Sequence, residues 1–233
     1  SNLRAKRAEM NIDFTPFYLS LKLAFISTAI LFFLVLPIAF WLSRASFKFK
    51  PVLEAVISLP LVLPPSVLGF YMLVFLSPYN FLGKFFEETF DIRLVFNFSG
   101  LIIASCIYSL PFMFQPLQAG FASLPKSLFE ASYSLGKGKW ETLFRVALPN
   151  IKPSLLTALI VSFAHTLGEF GVVLMIGGSV GDKTKVASIA IYEAVELMDY
   201  TKAHVYSAIM LFISFAVLFL VYFFNNSHSK RTQ

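Results

Sequence analysis

The sequence predicts an all-α, polytopic membrane bundle of five transmembrane helices, and three observations carry that reading. Hydrophobic residues make up 57% of the 233 and charged residues only 14%, against about 45–50% and about 25% in ordinary soluble domains. The 13 acids and 19 bases are too few to give a core of this size a polar skin. A helix needs about 20 mostly apolar residues to cross the hydrocarbon, and five stretches supply them. This composition argues against a disordered chain, a nucleic-acid-binding domain and a typical cytosolic enzyme. The net charge of +6 fits basic loops beside anionic lipid headgroups.

Taken in order, Leu23–Leu42 has 20 residues without a charge. Arg4, Lys6 and Arg7 precede it, but it exceeds a signal-peptide core and no small-residue cleavage site follows, so it reads as a retained span. Ala55–Leu76 is uncharged but interrupted by Pro60, Pro64 and Pro65. Gly100–Phe121 contains Pro111 and Pro116, and Pro153–Gly181 is apolar except for His165 and Glu169. Val205–Phe224 closes the series. The expected spans are about 17–42, 55–76, 100–121, 153–178 and 203–224, in one transmembrane domain covering 1–233.

Five spans put the termini on opposite sides. Counting bases on the two faces gives ten against nine, or ten against six once residues 1–9 are left aside. The richer face holds Arg44–Pro51, the segment Ala122–Lys152 and the C-terminal tail. By the positive-inside rule the expectation is an N-terminus outside and a C-terminus in the cytoplasm. Cys106 is the one cysteine, and His165, His204 and His228 are scattered, so neither a disulfide nor a metal cluster is expected.

Ala122–Lys152 is the most informative stretch. Ser127 and Glu130 stand at capping-box spacing, Leu128, Ala131, Ser132 and Leu135 recur at helical spacing, and Gly136 suits a left-handed helix stop. A second pattern, Trp140, Leu143, Phe144 and Ala147, ends at Pro149. Physical chemistry alone leaves two readings open: a helix lying in the lipid interface, or a rigid peg for a groove on a soluble partner.

Here the residues resemble a known family. Glu130-Ala131-Ser132, Gly136 four residues on, then Val146-Ala147-Leu148-Pro149 resembles the EAA loop of ABC-importer permeases, with Ser132 for the second Ala and Val146 for Ile. Leu59–Val67 and Thr166-Leu167-Gly168-Glu169-Phe170-Gly171 resemble the molybdate permeases, while the Gly-Glu-Phe-Gly element is shared with sulfate/thiosulfate permeases. The resemblance runs from about Phe17 to Phe224 and implies the type I, MetI-like permease fold. It implies a non-catalytic membrane subunit importing molybdate, and tungstate as a second cargo, with sulfate/thiosulfate as the alternative. It further implies a homodimer, two ATPase subunits docked on Glu130, Ala131, Ser132, Gly136, Leu148 and Pro149, and an extracytoplasmic anion-binding protein. This chain would bind no cofactor; ATP and Mg would be used by the ATPase.

The sequence has no intact phosphate-binding loop: Gly177–Thr184 carries Asp182 where the second glycine must stand. The expected pathway and gate residues are Pro64, Pro65, Ser66, Ser162, Thr166, Gly168, Glu169 and Gly171. Hydroxyls would give the anion weak contacts, and a break at the prolines survives only against protein or a watery cavity. Glu169 would repel an oxyanion from the pore, so it is expected to cap backbone N–H groups or pair with His165, four residues earlier on the same helix face. Ala187–Ala203 reads as an amphipathic outer helix.

Two other classes account for less of the sequence. An intramembrane serine protease needs a Ser–His pair, for which His165 with Ser179 or His204 with Ser207 offer only proximity. An ATP-independent channel or carrier often shows internal repeats, and none is visible between the halves.

Overall fold

The computed structural model describes residues 12–229. Arg4, Lys6, Arg7, Lys230 and Arg231, which enter the charge comparison, lie outside the described residues, as does the side chain of His228. Among the described residues every regular element is helical.

Helix α1 spans Thr15–Arg44. The Thr15 N–H bonds the Asp13 carboxylate at 2.9 Å, and the cation of Arg44 ends the helix, where the dipole is negative. Helix α2, Lys50–Ser58, runs into a 3₁₀ turn at Leu59–Leu61, and α3 follows at Pro65–Leu76. Helix α4 is Phe81–Phe90 and α5 is Phe98–Ala122. Then come α6, Lys126–Ser134; α7, Lys139–Thr142; a π turn, Leu143–Ala147; and α8, Leu148–Asn150. Helices α9, Lys152–Leu167, and α10, Gly171–Gly177, are separated by a break. Helices α11, Gly181–Thr184, α12, Ala187–Glu196, and α13, Tyr200–Ser229, complete the chain.

Three helices are long and apolar enough to cross a membrane unaided: α1, α5 and the Tyr200–Phe219 part of α13. The five expected spans are reached with two of them bent, Lys50–Leu61 with Pro65–Leu76 at 104° and Lys139–Asn150 with Lys152–Leu167 at 86°. The first bend falls at Pro64 and Pro65, where proline cannot donate to the turn before it. The fourth expected span is interrupted too. Helix α9 has 16 residues, about 24 Å of rise, and stops at Gly168 before α10 resumes.

The centre of the bundle is α1 against α5, with α9 laid across both. Leu31, Val35, Ala39, Met113, Phe114, Leu117 and Ala158 form its main buried cluster. Helix α3 packs on α10 through small residues, as close helix contacts in membranes require. A Cβ on Gly171 would stand 2.7 Å from that of Pro65, and one on Gly69 2.9 Å from that of Met175. The outer helix expected over Ala187–Ala203 is two helices instead. It breaks after Glu196, with Met198 at a φ of 56°.

Candidate functional site

The segment between α5 and α9 folds as a helical peg. Helix α6 does not start on the expected capping box: Pro125 is its N-cap and no side chain caps it. Its end is as expected. Gly136 has a φ of 77°, its N–H bonds the Tyr133 carbonyl at 2.9 Å, and the Lys137 N–H bonds the Ser132 carbonyl at 3.2 Å. These are the paired bonds of a Schellman stop. The second helical stretch runs one residue past the expected end at Pro149, to Asn150.

One side of the peg is anchored. Phe129, Leu143, Ala147 and Ile151 join the buried cluster of α1 and α5, and the Arg44 guanidinium stacks 3.4 Å from the Phe129 ring centroid. Ser132 and Thr142, both buried, share a hydroxyl–hydroxyl bond of 2.8 Å. The serine that departs from the family pattern is thus satisfied by a threonine ten residues on. The other side is open: Glu130, Ala131, Gly136 and Pro149 are exposed, Leu148 is half-buried, and Leu135 keeps 78% of its surface. Of the six expected docking residues, only Ser132 is wholly internal. Phe129 and Thr142 were missed; nothing in the sequence separates Phe129 from 27 other phenylalanines.

Replacing Ser132 with Ala is expected to destabilise the chain by about 1–3 kcal/mol, because Thr142 keeps a buried hydroxyl without a partner. The double change S132A/T142V should recover most of that loss. Thermal inactivation of the detergent-purified protein checks both.

The expected pathway residues fall into two groups. Pro64, Pro65, Ser66 and Gly168 are exposed, and Gly171 is packed on Pro65. Ser162, Thr166 and Glu169 are buried within the chain, at 0, 3 and 5% exposure, so neither hydroxyl reaches a surface of this protomer. Thr166 bonds the Ser162 carbonyl at 3.1 Å and the Ser109 hydroxyl at 2.8 Å.

The Glu169 expectation is corrected. Its carboxylate neither caps backbone N–H groups nor pairs with His165; it accepts a 2.8 Å hydrogen bond from Ser105 on α5. Its other oxygen, Oε1, has no protein partner. The Glu169 carbonyl accepts from Ser188 of α12 at 2.7 Å. The break between α9 and α10 turns the residue off the helix face that His165 occupies. His165 lies 2.9 Å from the Ser109 hydroxyl and stacks on Phe112 at 3.9 Å between centroids. The chance pair His165–Ser179 is therefore replaced by a buried polar seam from Ser105 to Ser109, spaced one helical turn apart on α5. Thr184, in the near-miss phosphate loop, spends its hydroxyl on the Gly177 carbonyl at 2.7 Å and the Val180 N–H at 3.1 Å.

Among the described residues no cluster of His, Cys, Asp and Glu could hold a metal ion. A helical bundle with membrane-length helices, bent half-helices and an anchored peg is the architecture of a transport permease.

Comparison with known proteins makes the class specific. Residues 35–233 match the family described as binding-protein-dependent transport system inner membrane component, and the chain belongs to it. It is 44% identical over 210 residues to the molybdenum transport system permease protein ModB of Azotobacter vinelandii, covering 90% of this chain and 93% of that one. It is 35% identical to the putative molybdenum transport system permease protein YvgM of Bacillus subtilis (strain 168), over 89% and 92% of the two chains. It is 33% identical to a probable sulfate transport system permease protein, cysT, of Chlorella vulgaris, over 93% and 81%. The fold is that of a structure of the MetNI methionine ABC transporter, at a TM-score of 0.69 with 17% identity over 91% and 94% of the chains. A bacterial ABC transporter importing alginate matches at 0.73, with 18% identity over 94% and 79%.

Proposed function

We propose that this chain forms the translocation path of an ATP-driven importer of molybdate, with tungstate as a second cargo. The observation that carries the reading is the 44% identity to a molybdenum permease across nine-tenths of the chain, above the 33% to the sulfate relative. Two copies would enclose the path between them, with Pro64, Pro65, Ser66 and Gly168 on its wall. Two ATPase subunits, which hold ATP and Mg, would each receive one peg through Glu130, Ala131 and Leu135 around the Gly136 turn. The chain itself would hold no cofactor and catalyse nothing. An extracytoplasmic anion-binding protein would deliver the cargo. The N-terminus would lie outside and the C-terminus in the cytoplasm.

The peg suits this coupling role. Its open face offers apolar contact, while Phe129 and Leu143 tie it to α1 and α5, so a push on the tip moves the bundle. The test is uptake of labelled molybdate by cells carrying the importer. Uptake dependent on this chain, competed by tungstate and unaffected by excess sulfate, is the expected result; competition by sulfate as strong as by tungstate would favour the sulfate/thiosulfate reading.

Glu169→Gln bears on the buried seam. Glutamine keeps an oxygen to accept from Ser105, so assembly and transport are expected within about twofold of the parent, whereas Glu169→Leu leaves the Ser105 hydroxyl unpaired. Recovery of the assembled complex and uptake are the measurements.

A further inference from the structure

A groove of about 420 Å³ lies between the C-terminal end of α1 and the peg, lined among others by Pro37, Phe40, Trp41, Arg44, Lys139 and Trp140. Both tryptophans of the chain therefore line one cleft, and both are exposed, Trp41 at 54% and Trp140 at 64%. Its depth in the bilayer follows from α1. The uncharged run Leu23–Leu42 has 20 residues, about 30 Å of helix, which matches the hydrocarbon thickness. Trp41 then stands at the hydrocarbon boundary, where tryptophan concentrates, and Arg44 at the headgroups.

The charges in the groove are unbalanced. Lys137 and Arg145 share Glu141, and Lys50 pairs with Glu54. Arg44 and Lys139 have no carboxylate within salt-bridge distance among the described residues; Arg44 rests on the Phe129 ring instead. The cleft thus combines an apolar floor from Pro37 and Phe40, two aromatic walls and two cations without a carboxylate partner at headgroup level. We infer that it is a binding site for one anionic phospholipid, its phosphate between Arg44 and Lys139 and an acyl chain along Pro37, Phe40 and Trp41. Arginine suits the phosphate through its planar fork of donors, and a bound lipid would join the end of α1 to the peg.

The test uses the full chain in nanodiscs of phosphatidylcholine with a minor share of phosphatidylglycerol, and counts retained lipid per chain by native mass spectrometry. The parent should retain phosphatidylglycerol selectively, and Arg44→Gln/Lys139→Gln should lose it roughly tenfold. Lys183→Gln, which removes a charge from α11, should retain it. Because Arg44 also packs on Phe129, the exposed Lys139→Gln alone provides a second reading, with roughly a threefold loss expected. Equal retention of the two lipids by the parent, or undiminished phosphatidylglycerol on Lys139→Gln, overturns the site. Displacement by excess inorganic phosphate would make it a soluble-anion site and likewise overturns it. Loss of the ATPase with lipid unchanged would assign the groove to subunit docking, which also overturns it.

Discussion

Gly136→Pro is expected to abolish recovery of the ATPase with this chain, and uptake with it, while the chain still inserts at parental level. The Gly136 φ of 77° lies outside what a proline ring permits, about −65°. The substitution also removes the N–H that bonds the Tyr133 carbonyl. Both Schellman bonds are lost together, and the turn that presents Glu130, Ala131 and Leu135 cannot form. Gly136→Ala should be far milder, costing about 1 kcal/mol, since a Cβ there meets nothing within 4 Å. Co-purification of the ATPase, normalised to the chain in the membrane, separates the two variants. Parental recovery with Gly136→Pro would remove the peg from the coupling path.

Phe129→Ala should have the second largest effect, by a different route. Phe129 is fully buried, packs 6.1 Å from the Phe40 ring and carries the Arg44 guanidinium on its face. Truncating a buried phenylalanine costs about 3–5 kcal/mol where the cavity does not collapse. Here the void opens between peg and bundle, so the chain should lose thermal stability in detergent and couple poorly even where the ATPase still binds. The expected signature is ATP hydrolysis retained with uptake reduced at least about tenfold, in contrast to the joint loss for Gly136→Pro. Phe129→Leu should restore much of the stability, because a large apolar side chain is kept.

The sequence announces the long elements because lipid imposes a simple rule. An uncharged run of about 20 residues has few other destinations, and α1, α5 and α13 follow it. Gly136 was equally legible, since a helix stop uses a local backbone conformation that glycine favours. The broken helices were legible only in part: Pro64 and Pro65 marked the first bend, but hydropathy does not register that α9 ends at Leu167. The partner of Glu169 was out of reach altogether. Ser105 lies 64 residues away in sequence, and the nearer His165 satisfied the helical spacing that the break at Gly168 cancels. Ser132 and Thr142 illustrate the same limit on a smaller scale, for their bond depends on how α6 and α7 fold back on one another. The capping box failed because the chain enters α6 through Pro125, leaving Ser127 two residues past the N-cap.

The 86° corner at Ile151 has a mechanical implication. A hydrogen-bonded helix resists axial compression, and α9 starts at that corner and stays unbroken for 16 residues. It is a strut whose foot stands beside the peg and whose head stops just short of Glu169. Beyond the head there is no continuous backbone ladder, so in the proposed importer a stroke delivered at the foot would be handed on sideways, through the carboxylate's tie to Ser105 and the close seat of Gly171 on Pro65.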